Sequence, residues 1–311
     1  MQRAREIRPA LAAYRGDVTC PERWATWTPR RGDVLVCTPP KSGTTWTQTM
    51  VAMLLAGRAE IPQRIGVVSP WVDSVLGEAE TVRADLAAQP GRRVVKTHTP
   101  ADGFPVWEGV SVIAVYRHPL DVFVSLLSHV ANRATAGAFH RLRRPLDEAL
   151  AGFLEDPVDR EAYDEDSLAT IARHYRETAL SDRLPDRLVL HYADMVADHR
   201  GAVARLAEAI GVEASPALLD EIVAATAFEA MRAEAHRYVP APGTGFWHDD
   251  AGFFARGGAG RWRETVPERV LPRYAERLAE LIPDPAARRW LEEGGRAPDD
   301  RGSGGMACAD A

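Results

Sequence analysis

The sequence predicts an α/β fold: a single domain whose central, mainly parallel sheet is flanked by helices. Three observations lead there. Short β-branched apolar runs, which read as buried strands, alternate with segments of helical periodicity, and that alternation implies a parallel sheet covered on both faces. The first strand passes through a glycine-containing turn directly into a helix, an architecture that cradles phosphate. The residues with the most chemical character fall where strands end, which is where sites lie in such folds.

Taken in order, the strands are "DVLVCT" (33–38), "RRVVKTH" (92–98), "VSVIAVYR" (110–117) and "RLVLHY" (187–192). Helical spacing covers 44–56, 119–131, 167–181, 200–210, 216–229 and 267–281. Residues 1–31 read as an N-terminal segment before the domain proper, 32–293. Residues 132–166 are mixed, charged and weakly periodic, so a surface insertion or a mobile lid is expected there. "HRYVPAPGTGFWHDDAGFFARGGAGRW" (236–262) is a long Gly/Pro/aromatic loop, and such loops in compact domains usually carry function or stay disordered. Beyond Trp290 apolar residues run out, and 294–311 is expected to be a disordered tail.

Bulk properties narrow the function classes. A chain of 311 residues with 46% hydrophobic and 26% charged residues can bury a substantial core. A net charge of −6 argues against a surface built for nucleic acid or anionic lipid. The longest apolar runs, such as "MVAMLLAG" (50–57), are too short to span a bilayer. The start, "MQRAREIRPALAAYRGD", has no apolar stretch of a secretory signal, so a cytoplasmic location is expected. The cysteines are Cys20, Cys37 and Cys308, an odd set without CxxC spacing, which offers neither a disulfide framework nor a zinc site. No acidic cluster suggests Mg²⁺, and no metal is expected.

Lysine is scarce. Of 38 basic residues only Lys41 and Lys96 are lysine; the rest are arginine. Lys41 stands in "CTPPKSGTTW" (37–46), between the first strand and its helix, "TTWTQTMVAMLLAG", which is expected to be amphipathic. Backbone N–H groups of such a turn and the helix dipole converge on one spot. Lys41 adds a full charge, and Ser42, Thr44 and Thr45 add hydroxyls. The turn is P-loop-like without being a Walker A loop. That motif puts lysine after its second glycine, whereas Lys41 precedes Ser42 and Gly43, and Thr38 stands where the first glycine would.

"PPKSGTTW" resembles the 5′-phosphosulfate-binding loop of the cytosolic-type sulfotransferases, which use 3′-phosphoadenosine 5′-phosphosulfate (PAPS) and release PAP. Further stretches match in the family's order, from about Gly32 to Trp262. In "VVKTHTP" (94–100) His98 matches the catalytic histidine and Lys96 its neighbouring lysine. In "VIAVYRHPLDVFVSLLSHV" (112–130) Arg117 and Ser125 match the 3′-phosphate pair. Trp46, Tyr192 and, from "TAFEAM" (226–231), Thr226, Phe228 and Met231 resemble residues around the adenine. "FFARGGAGRWRE" (253–264) resembles the R-K-G-x-x-G-x-W-K segment through Gly257, Gly260 and Trp262. It departs from the pattern at Ala255 and Arg256, where arginine and lysine are usual, and Arg256 is expected to take over the 3′-phosphate contact.

The resemblance implies sulfuryl transfer to a hydroxyl or amine by in-line displacement. It makes His98 the general base, Lys41 the donor to the departing oxygen and Lys96 a neighbour of the sulfuryl oxygens. Loops at 67–73, 101–109, 132–145 and 243–250 are expected to form the acceptor pocket, with Trp71, Phe104, Phe139, Phe246 and Trp247 as apolar walls. An aromatic-lined pocket suits a small, largely apolar molecule such as a phenol, an alcohol, a lipid or a specialised metabolite. The spread of motifs is also similar to bacterial sulfotransferases proposed to act on glycolipids. The family's dimer motif survives in "RETVPERV" (263–270) only at Thr265 and Val266, so a homodimer lacks support. Two alternatives are a P-loop small-molecule kinase and a non-catalytic nucleotide-binding protein of the same fold.

Overall fold

Val34, Leu35, Val36 and Cys37 are all fully buried, because a central parallel strand has helices over both faces and no solvent side. The computed structural model describes residues 2–134, 140–164, 166–240, 242–254 and 257–295. Its strands are β1 (Glu6–Arg8), β2 (Val34–Cys37), β3 (Val94–Thr97), β4 (Val106–Trp107), β5 (Ser111–Tyr116) and β6 (Arg187–His191). β3, β2, β5 and β6 lie side by side in that order and run parallel throughout. These are the four expected strands. β1 and β4 form a separate antiparallel pair that the sequence did not announce.

The register places Val34 beside both Val94 and Ser111, and Val112 beside Arg187. Parallel strands in this register end at one edge. The residues that follow them, Thr38, His98, Arg117 and Tyr192, therefore emerge together.

Side-chain alternation sends Val34, Val36, Ile113 and Val115 to one face, under the helix Thr44–Ala56. That helix was expected to be amphipathic and is instead buried along most of its length. The helices Ile65–Val68, His199–Ala209 and Pro216–Ala225 pack on its outer side, so it has no wet face. Ala114 and Tyr116 point to the other face, under Pro119–Asn132, Leu146–Glu155 and Leu168–Thr178. There Phe123 meets Phe153 at 5.0 Å, and Trp290 stacks on Tyr175 at 5.7 Å.

Two expectations need correction. Residues 140–164 are not a surface insertion: the helix Leu146–Glu155 buries Ala149, Leu150, Phe153 and Leu154 in the core. Its apolar spacing is helical, but charged flanks dilute it over a longer window. Gly294 and Gly295 are not loose tail, because Gly295 N donates to Asp194 Oδ2 at 2.8 Å and Trp290 Nε1 donates to Gly295 O. The remaining tail, 296–311, lies outside the described residues, as does 135–139 with Phe139.

The N-terminal segment is knitted to the rest. Tyr14 is buried, donates to Asp102 at 2.9 Å and accepts from Arg173 Nε at 2.5 Å. Asp33, at the start of β2, pairs with Arg93 before β3 in full burial and also accepts from Trp27 Nε1. A buried charge persists only when paired and hydrogen-bonded, so this cluster locks β2 to β3 where both begin. Among the described residues no helix is long and apolar enough to cross a membrane.

Candidate active site

The shared strand edge floors a cavity of about 1300 Å³. Its first wall is the turn between β2 and its helix. Lys41 has φ 62°, alone among the described non-glycine residues in taking a left-handed conformation, and Gly43 follows at φ 101°. A side chain at 43 would be strained, and its Cβ would lie 3.0 Å from the Tyr192 ring. Thr38 Oγ1 and Thr44 Oγ1 close the turn at 2.6 Å. No side chain caps the helix at Gly43, so its first amides remain available. Ser42 Oγ is buried without a hydrogen-bond partner among the described residues.

Each lysine meets a histidine. Lys96 Nζ lies 3.3 Å from His98 Nε2 and 4.4 Å from the centre of the Trp71 ring. Trp71 is held there because Lys96 N donates to Pro70 O and Val72 N to Lys96 O, which runs 70–72 along β3. His98 Nδ1 is 2.7 Å from the Thr38 carbonyl, so Nδ1 carries the proton and Nε2 the lone pair. Burial, and then the Lys96 charge, push the His98 imidazole well below its usual range. Burial lowers Lys96 to about 8, with Asp73 opposing. Lys41 falls to about 7 through burial and the charges of Arg117 and Lys96, opposed by Asp166. Two cations forced out of water beside a third account for these shifts.

Arg117 stacks 4.5 Å from the centre of the Tyr192 ring and donates to Lys41 O at 3.3 Å and Gly258 O at 3.0 Å. Its ion pair with Asp121 is long, at 4.0 Å, since Asp121 is taken up by Gly260 N and Trp262 N. Arg117 Nε is buried and has no hydrogen-bond partner among the described residues. Ser125 lines the same wall. Trp46 donates to Thr226 O at 2.9 Å and lies 5.8 Å from Tyr192, which fixes an aromatic slot. Phe228, Met231 and Gly257 continue it, and a Cβ on Gly257 would lie 3.0 Å from the Phe228 ring. Arg256 lies outside the described residues.

Trp71, Phe246 and Trp247 line the cavity's other half. Phe104 does not: it is 1% exposed and packs 5.2 Å from Trp24 in the core. The chain turns it inward between β3 and β4, so it supports the wall without forming it.

Three lining residues escaped sequence reasoning. His129 Nδ1 lies 3.2 Å from Lys41 Nζ, and the Phe253 ring centre lies 4.5 Å from the same nitrogen. His129 sits four residues after Ser125 on one helix, and that spacing was a readable signal. Asp166 is the third. Of the lining carboxyls, Asp121 and Asp164 accept from backbone amides and Asp17 is exposed. Asp166 has no hydrogen bond to its carboxyl among the described residues, and burial raises it to about 7.

A parallel sheet whose strand ends gather an open helix N-terminus, two half-buried lysines and a lone-pair-bearing histidine suits an anion-handling α/β transferase. Comparison resolves the class further. The sulfotransferase domain family matches residues 31–284, and the chain belongs to that family. Its reaction class is accordingly sulfuryl transfer, not kinase chemistry. A glycolipid sulfotransferase of Mycobacterium bovis is 33% identical over 304 residues, covering 89% of this chain and 93% of the relative. One from Mycobacterium tuberculosis is 33% identical over 303 residues with the same coverage. Among solved structures, mouse sulfotransferase SULT7A1 complexed with PAP is similar at TM-score 0.66 and 18% identity, covering 88% of this chain and 93% of that one. Retinol dehydratase in complex with androsterone and PAP is similar at TM-score 0.64 and 21% identity, covering 85% and 84%. At that identity the two structures speak to the fold alone.

Proposed function

We propose that the protein moves the sulfuryl group of PAPS to a hydroxyl of a small, largely apolar acceptor of the lipid or glycolipid class. PAPS supplies a sulfuryl group joined through oxygen to a nucleotide phosphate. The amides opening the helix, with Lys41, Ser42, Thr44 and Thr45, would hold its phosphosulfate end. Arg117 and Ser125 would hold the 3′-phosphate, joined by Arg256. Trp46, Tyr192, Thr226, Phe228 and Met231 would enclose the base, with Gly257 admitting close backbone approach. Ser42 Oγ and Arg117 Nε, both buried without a hydrogen-bond partner among the described residues, fit this assignment, since phosphate oxygens would satisfy both.

His98 takes the acceptor's proton at Nε2, while the Thr38 carbonyl holds its Nδ1–H in the required tautomer. Burial keeps the ring neutral at working pH. Lys41 presents a proton to the departing oxygen, and Lys96 shifts from His98 Nε2 toward charge building on the sulfuryl oxygens. An ammonium can follow a moving charge, whereas the planar arginine fork suits a resting phosphate. Trp71, Phe246 and Trp247 line the half left for the acceptor. The mycobacterial relatives are glycolipid sulfotransferases, which favours a glycolipid there.

The observation that carries this reading is the meeting of Lys41, Lys96 and His98 at one cavity beneath an uncapped helix. Its test is incubation with PAPS and a panel of phenols, sterol alcohols and glycolipids, followed by mass spectrometry. A sulfuryl adduct with matching release of PAP is expected. Calorimetry that detects no PAP binding, together with no adduct on any acceptor, would sink it.

A further inference from the structure

Among the described residues, His129 Nδ1 is the one hydrogen-bond partner of Lys41 Nζ, at 3.2 Å. We propose that His129 is the positioning residue for Lys41: its neutral imidazole accepts one N–H of the ammonium and fixes the lysine tip at the cradle. Two N–H groups then remain for the oxygens of the sulfuryl donor, so this role rests on the PAPS reading.

An ammonium has no lone pair, so Nδ1 must be the acceptor and the ring must be unprotonated there. The surroundings enforce that. His129 faces Lys41, Arg133, Lys96 and His98, and burial followed by those charges pushes it down to about 2. Lys41 faces Arg117, Lys96 and Asp166 besides His129. The ring itself is clamped edge-on by Trp247 at 4.9 Å and Phe253 at 6.0 Å. Those aromatics belong to the loop that Asn132 ties to the same helix through Asp249 O at 2.7 Å. A lysine has many rotamers, and a single fixed acceptor removes most of that freedom before the donor arrives.

The two lysine–histidine pairs are thus unlike. His98 spends Nδ1 on Thr38 and keeps Nε2 for a proton. His129 spends Nδ1 on the lysine and has no proton to take.

Because the chain has just two lysines, isotope-labelled lysine gives two resonances, assigned with Lys96→Arg, and Lys41 can be titrated with no nucleotide present. An acceptor stabilises the charged amine, so His129→Leu should lower the Lys41 titration by about one pH unit and leave Lys96 in place. His129→Asn, which keeps an oxygen near the Nδ1 position, should restore it. In parallel, His129→Leu should cost roughly tenfold or more in single-turnover rate with PAP affinity held within about threefold, the mark of a group that acts on the transition state. In the unmutated protein the ¹⁵N shift of His129 Nδ1 should move as Lys41 titrates, which keeps the test alive if the leucine variant does not fold. An unmoved Lys41 titration in folded His129→Leu, asparagine behaving like leucine, or a static Nδ1 shift would each overturn the proposal. Absent PAP binding would strike the PAPS reading instead, and the lysine titration would still decide the pair.

Discussion

The cavity has two halves built on different principles. The half assigned to the nucleotide is made where strands end and helices begin: the 41–46 turn, Arg117 after β5, Tyr192 after β6. Backbone geometry sets those positions, and each comes as a short contiguous motif. The half assigned to the acceptor gathers single residues from distant segments, among them Trp71, Leu142, Asp166 and Trp247. Side-chain packing sets those. An element terminus can be held constant while the opposite wall changes, so the first half suits a common donor and the second a particular acceptor.

This contrast can be broken in several ways. The largest effect should come from His98→Asn, which removes the proposed base and leaves the cradle: turnover should fall by about 10²–10⁴ with PAP affinity retained in calorimetry. Substantial residual activity would take the histidine out of its role. Lys41→Arg should bind PAP and lose about 10²–10³ in single-turnover rate, the cost of a misplaced electrostatic donor. Near-normal rates there would end the argument that an ammonium is required.

Phe104→Ala and Phe246→Ala test the other boundary, between wall and core. The first should destabilise by about 3–5 kcal/mol in denaturant unfolding, as for a fully buried phenylalanine, with acceptor KM unchanged. The second should raise acceptor KM with a small stability change. An altered acceptor KM in Phe104→Ala would return that residue to the pocket.

Gly43→Ala should weaken PAP by about tenfold, since forcing a side chain into left-handed backbone costs about 1–2 kcal/mol and crowds Tyr192. The smallest effect is a proton balance. Burial lowers free Lys41 to about 7, so it is charged at pH 6 and largely neutral at pH 8. Phosphate oxygens favour the ammonium and raise that value. PAP binding should therefore take up about one proton more at pH 8 than at pH 6, read by calorimetry in buffers of different ionisation heat. Equal uptake at both would deny that Lys41 faces the nucleotide.

Much of the fold was legible because buried parallel strands are continuous β-branched runs, and all four came within two residues of their expected bounds. The helix 44–56 was placed to the residue because Gly43 and Gly57 bracket it. The helix Leu146–Glu155 was hidden by its charged neighbours, and β1 with β4 are too short to carry a period. Phe104 was misplaced because an aromatic beyond a strand end reads alike whether it turns inward or lines a cavity. His129 was overlooked although its spacing from Ser125 put both on one helix face.

Chemistry-bearing residue types, their order and the strand or helix end on which each stands were properties of the sequence alone, because backbone geometry and turn chemistry act over a few residues. Which face of the cavity each side chain reached was settled by tertiary packing. Lys41 on His129, Lys96 on His98, Asp166 with no hydrogen bond to its carboxyl among the described residues, and Phe104 withdrawn into the core all depend on the folded whole. Burial then moved the charges, and burial belongs to the folded whole rather than to any local stretch of chain.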